Sequence, residues 1–183
     1  MKKSFAIISL LISLVLVPSA FADEYSKAIG VFKRSEVIQP YFKKAYGYAV
    51  FPTIGKAGIG IGGSYGKGKV YRQGKAAGTT TLSQITLGFQ LGGQAFSQII
   101  FFEDSSAYKN FVSGSFEFGA QANAIVITSS ANAQAGTTGA AAGADDLQAA
   151  AKYYRGMITF TRGKGGLMYE ASIGGQKFSF TPY

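Results

Sequence analysis

Apolar and polar positions follow two different periods along this chain, and the change of period divides it into elements. Over residues 24–38, Ala28, Ile29, Val31, Phe32 and Val37 recur among Lys and Glu at close to helical spacing, which predicts an amphipathic helix. Pro40 interrupts that pattern and suits the first turn of a second, short helix over 40–45, carrying Tyr41, Phe42, Lys43 and Lys44. From Tyr46 the period falls to two. Segments 48–51, 57–62, 69–72, 85–91 and 97–102 read as short strands punctuated by glycine, with a hairpin following the glycines at 58–63, in the manner of an antiparallel meander. Glu103-Asp104-Ser105-Ser106 then offers an N-cap ahead of Ala107, Tyr108, Phe111 and Val112, and Gly114 offers a stop, so a helix is predicted over about 105–112.

Strands resume at 116–120 and 124–128. Segment 129–144 is rich in Ala and Gly, too small-chained to build a core, and reads as a surface loop. Segments 152–161 and 167–173 look like two strands around a turn at 162–166, and 177–180 like a last one. The expected class is α+β: a mostly antiparallel sheet closed or nearly closed into a barrel-like sandwich, with an N-terminal amphipathic helix and a short central helix.

The first residues carry a different message. Lys2 and Lys3, an apolar run over 6–17, and Pro18-Ser19-Ala20-Phe21-Ala22 have the parts of a secretory signal peptide over 1–22, cleaved after Ala22. Such a run is too short to span a bilayer, which needs about 20 residues. The expected product is one exported domain over 23–183, periplasmic or secreted and peripheral to a membrane. The chain has no Cys, so its stability must come from packing and not from disulfides.

Composition narrows the chemistry. With no His and no Cys there is no imidazole base, no Ser-His triad, no His metal site, no thiol nucleophile and no thiolate zinc site. Asp145-Asp146 lacks the spaced ligands of a calcium loop. What remains is carboxylate, Lys, Tyr or Ser chemistry, and no metal site or cofactor is expected. The 183 residues carry 18 Lys plus Arg against 9 Asp plus Glu. Without the leader the balance is 16 to 9, a net of +7. All of that surplus lies in one block: from Val37 to Phe102 there is no acidic residue, while Lys43, Lys44, Lys56, Lys67, Lys69, Arg72 and Lys75 are present. A block of this kind makes a local positive potential that attracts anionic partners.

Three glycine or lysine spacings look chemical and lack their context. Gly58 to Gly63 spells G-x-G-x-x-G without a following helix or an acidic residue about twenty positions on. Gly63 to Lys69 spells G-x-x-x-x-G-K, but Val70 stands where a phosphate loop needs a hydroxyl. Ser64-Tyr65-Gly66-Lys67 has S-x-x-K spacing away from any helix start. Tyr65 and Tyr71, interleaved with Lys67, Lys69 and Arg72, suit either a core or a lipid interface. Two physical readings then compete. One is an outer-membrane barrel, supported by the alternation of Ile85, Leu87, Phe89 and Leu91 and by the aromatic C-terminus at Tyr183. It is opposed by Lys177, Ser179 and Thr181 at positions a barrel keeps apolar. The other is a soluble basic domain that docks on anionic membrane surfaces.

The motifs Ala45-Tyr46-Gly47-Tyr48-Ala49-Val50-Phe51-Pro52, Lys56-Ala57-Gly58-Ile59-Gly60-Ile61-Gly62-Gly63, Leu87-Gly88-Phe89-Gln90-Leu91-Gly92-Gly93-Gln94, Ile99-Ile100-Phe101-Phe102 and Phe116-Glu117-Phe118-Gly119-Ala120 occur in the order of the SYLF domain, which this chain resembles over nearly all of 23–183. The resemblance implies a non-enzymatic module that binds anionic phospholipids through a basic surface. It carries a basic position onto Lys56 and places Lys67, Lys69 and Arg162 near basic positions of the family's hairpins. Together with the basic block this gives Lys56, Lys67, Lys69, Arg72, Lys75, Arg162 and Lys164 as the expected lipid-binding residues. Export argues against actin as a partner and no nucleic acid is expected, leaving an anionic phospholipid membrane surface or lipid A phosphates. The alternative is a structural or stress-related cell-envelope protein acting through protein contacts, with the basic block incidental.

Overall fold

The computed structural model describes residues 20–114, 116–118 and 153–183. In chain order these form α1 (Ala20–Lys33), α2 (Gln39–Lys44), β1 (Gly47–Arg72), β2 (Lys75–Phe102), α3 (Ser105–Val112), β3 (Glu117–Phe118) and β4 (Met157–Pro182). The strands make one antiparallel sheet in the order β1-β2-β4-β3, so the class is α+β. The signal segment before residue 20, the strand expected at 124–128 and the loop at 129–144 lie outside the described residues.

The three helices arise where the apolar pattern placed them. α3 is capped by Asp104, whose side chain accepts a 2.9 Å hydrogen bond from the Ala107 amide, satisfying one of the amide donors a helix start leaves open. α1 stops at Lys33, short of the expected residue 38. Tight turns from Val31, Phe32 and Ser35 carbonyls to the amides of Arg34, Ser35 and Ile38 redirect the chain so that Val37 and Ile38 are buried in the connector. Pro40 then sits in the first turn of α2.

The many short strands expected from glycine punctuation are instead three long ones. β1 and β4 have 26 residues each and β2 has 28. The glycines at 58–63 lie inside β1, not before a hairpin, and the turn expected at 162–166 is continuous strand in β4. One two-residue turn joins β1 to β2, with Gln73 at φ 48° and Gly74 at φ 79°, the left-handed pair that suits a right-twisted hairpin.

A straight strand of such length would run about 90 Å, far more than a domain of this size can hold, and the ladder folds back on itself instead. A side chain added at Gly66 would meet Ile54 and the Thr53 carbonyl, and one added at Gly68 would meet the Phe51 ring. Gln98 donates through Nε2 to Oε1 of Gln176 at 3.1 Å, although in the ladder Gln98 faces Thr161 and Gln176 faces Gln84. The bend falls where the β1–β2 register shifts between Ile59 and Ile61, with Gly60 at φ 72° and Gly92, on the facing strand, at φ 123°.

This geometry corrects the expected closure. A barrel needs its first and last strands to exchange hydrogen bonds, whereas here β1 and β3 occupy opposite edges and the sheet stays open. Doubling over, not closing, buries the apolar face. One cluster fills the inside of the fold with Ala49, Phe51 and Ile54 against Val70, Leu82 and Phe178, sealed by Tyr108 and Phe111 of α3. A second lies on the outer face, where Val50, Ile99, Phe101, Ile158 and Phe160 are covered by Phe32 of α1 and by Tyr41 and Phe42 of α2. Among the described residues no helix is long and apolar enough to cross a membrane.

Candidate functional site

The outer face is set by the odd-numbered residues of β2 and their partners. Ile99 and Phe101 are covered by α1 and α2, while farther along the same face Leu91, Leu87 and Ile85 are exposed. The β1 residues opposite them, Ile59 against Leu91 and Ile61 against Leu87, share that face, followed by Tyr65, Lys67 and Lys69. The sheet therefore carries an apolar shelf at its bend, continued by lysines along β1.

The structure does not gather the seven sequence-predicted cations into one patch. Arg72 and Lys75 flank the hairpin turn, both exposed, with the Arg72 guanidinium 5.8 Å from the centroid of the Tyr108 ring. Lys67 is exposed on the outer face. Lys69 lies two residues on, its ammonium 4.8 Å from the centroid of the Tyr25 ring at the start of α1, a cation–π contact. Lys56 stands near the bend, 16 residues before Arg72 on β1. It lines a groove of about 410 Å³ with Gly55, Ala57, Gly63, Ser64, Tyr65 and Gln94. In that groove the Ser64 hydroxyl is buried without a hydrogen-bond partner. Arg162 is exposed on β4 opposite Ser97. Lys164 donates at 2.8 Å to the Thr53 hydroxyl, which donates in turn to Glu24 of α1 at 3.1 Å. Glu24 and Tyr25 of α1 thus lie between Lys164 and Lys69.

The interleaved tyrosines divide. Tyr65 is exposed at 55%, whereas Tyr71 is half-buried and stacks on Tyr48 with centroids 4.9 Å apart. Burial, with a smaller effect from Tyr71, pushes the Tyr48 phenol up to about 12, and burial followed by Glu103 and Tyr41 does the same for Tyr153. Because the folded chain holds these protons more tightly than the unfolded chain, they leave stability unchanged below pH 10 and reduce it from pH 10 to about 12. A spectrophotometric titration should show part of the tyrosinate signal delayed toward pH 12 in buffer and all of it near pH 10 in denaturant. A single transition near pH 10 in both would mean these rings are not desolvated.

The three glycine and lysine spacings all lie within the extended backbone of β1, with no helix start to cradle a phosphate. Among the described residues no three acidic or metal-ligating side chains converge. Sequence reasoning passes over the apolar shelf as a surface. Its signal is the alternation of Ile85, Leu87 and Leu91, which in sequence reads equally as barrel wall.

No family model matches the chain, and no solved structure matches it. One curated protein does. It is Beta cell expansion factor A of Aeromonas veronii. The two are 28% identical over 162 residues, covering 82% of this chain and 51% of the relative, so the chain spans about half the length of Beta cell expansion factor A. That level makes Beta cell expansion factor A a distant homologue.

Proposed function

We propose that this chain is a SYLF-like domain that docks without catalysis on anionic phospholipid surfaces, as an exported protein of the periplasm or the cell exterior. The observation that carries the reading is the acid-free block of residues 37–102. Its seven cations share the α2–β1–β2 stretch, with Lys67, Arg72 and Lys75 exposed to solvent. The ordered motifs in the sequence support the family assignment, as does the relative's name, which is that of a SYLF-domain protein family. Candidate headgroups are those of phosphatidylglycerol and cardiolipin, and the phosphates of lipid A.

A basic side chain held near an anionic membrane contributes about 1 kcal/mol. Lys67→Glu with Lys75→Glu should therefore weaken binding to vesicles containing phosphatidylglycerol by about thirtyfold or more. The same charge change on the α3 side, Lys109→Glu with Arg155→Glu, should matter much less. Vesicle co-sedimentation checks this, with zwitterionic vesicles as the blank. Equal losses in the two pairs would mean that net charge acts without a surface, and no binding to anionic vesicles would remove the lipid reading altogether.

A further inference from the structure

We propose that the bend of the doubled sheet is a shallow membrane-insertion element, in which the side chains of Ile59, Ile61, Ile85, Leu87 and Leu91 enter the acyl boundary of an anionic bilayer while lysines behind them hold the headgroups. This rests on the lipid-docking reading and adds an apolar step to it. Ile59 is 81% exposed, Ile85 73%, Ile61 66%, Leu87 62% and Leu91 50%. These are not scattered residues. Ile59 faces Leu91 and Ile61 faces Leu87 across the ladder, and Ile85 faces Gly63 two pairs farther on, so they form one contiguous shelf on one face. Glycines at 58, 60, 62, 63, 92 and 93 surround it, giving no side chains that would shield it from a flat surface.

The bilayer is favoured over a second copy of the chain by charge. The shelf is continued along β1 by Tyr65 and Lys67 on the same face, and Lys56 lines the groove that begins beside Tyr65. No acidic residue occurs between Glu36 and Glu103, so two shelves brought face to face would set like charges together. An anionic headgroup layer meets both demands at once: aliphatic tips enter below the phosphates, Tyr65 lies at their level and Lys67 above them. Depth is limited by the backbone. β1 is an edge strand, and its open amides and carbonyls must stay in water or among headgroups, so entry is confined to side chains.

The chain contains no tryptophan, which makes a single reporter possible. Leu87→Trp should shift its emission to the blue on vesicles of phosphatidylglycerol and phosphatidylcholine and be quenched by acyl-chain bromine. Thr79→Trp, exposed on the same face near the hairpin turn, should do neither. Ile61→Ser with Leu87→Ser should bind about tenfold or more weakly at high salt, where the apolar contact dominates, and lose less at low salt. Both changes are at exposed positions, and an unchanged far-ultraviolet spectrum and melting midpoint would confirm the fold. Vesicle binding with no shift at position 87 would overturn insertion while leaving electrostatic docking in place. Absence of all vesicle binding would overturn both. Blue-shifted emission from the Leu87→Trp variant without lipid, in protein that sediments as a dimer, would assign the shelf to self-association instead.

Discussion

Replacing Phe101 by alanine should remove about 3–5 kcal/mol of folding stability, a large share of the 5–15 kcal/mol a domain holds in total. Phe101 is fully buried on the outer face of β2 and is the ring on which the N-terminal helices rest. Its centroid lies 4.8 Å from Phe42 and 5.7 Å from Tyr41, both of α2, 5.9 Å from Tyr48 of β1 and 6.0 Å from Phe160 of β4. Deleting it opens a cavity between rigid strands and a short helix, and neither can collapse far to refill it. The midpoint of urea unfolding measures the loss. Ile85→Ala, on the same strand and face but 73% exposed, should change stability by less than about 0.5 kcal/mol. If the two variants unfolded at the same urea concentration, the helices would not be packed on the sheet.

How much of this was legible in the sequence depends on the range of the interaction that decides each element. α3 follows from an N-cap, an apolar spacing and a glycine stop within ten residues of one another, and it spans Ser105–Val112 as those local signals indicate. Strand character after Tyr46 was equally local. The number of strands was not, because glycine has two meanings that look alike in sequence. At Gly74 it supplies the left-handed conformation of a turn. At Gly66 and Gly68 it makes room for another part of the sheet. Reading both as punctuation produces many short strands in a closed or nearly closed barrel-like sandwich, whereas the structure has three long strands folded double. The candidate site divides in the same way. The charge block is visible as composition, but its spread from Lys56 at the bend to Arg72 and Lys75 at the hairpin turn depends on the path of β1. The aliphatic shelf was visible as alternation, and its exposure follows from α1 and α2 covering one end of the outer face and stopping there.

The second meaning of glycine sets the other large expected effect, at Gly66. A side chain there would place its first carbon 2.6 Å from Ile54 Cγ1, 3.0 Å from the Thr53 carbonyl oxygen and 3.2 Å from Ile54 Cα. The first neighbour is a side chain and can rotate. The other two are backbone of the opposing half of β1, and they move only if the halves separate. Separation would loosen Phe51 and Ile54 from Val70, Leu82 and Phe178, the inner cluster itself. Gly66→Val should therefore cost about 3 kcal/mol, the upper end of the overpacking range, and lower the melting midpoint by roughly 6–12 °C for a domain of this size. Gly63 tests whether the cause is contact or merely the loss of a glycine. It lies three residues earlier in the same strand, but a side chain there first meets an atom at 3.6 Å, an ordinary contact with the Gln84 carbonyl oxygen. Gly63→Ala should leave the midpoint near that of the unsubstituted protein, or raise it slightly by reducing the freedom of the unfolded chain. Calorimetry on both variants separates the cases. Equal destabilisation would mean that β1 needs glycine for backbone freedom throughout, and no effect at Gly66 would mean that the two halves of the strand do not touch.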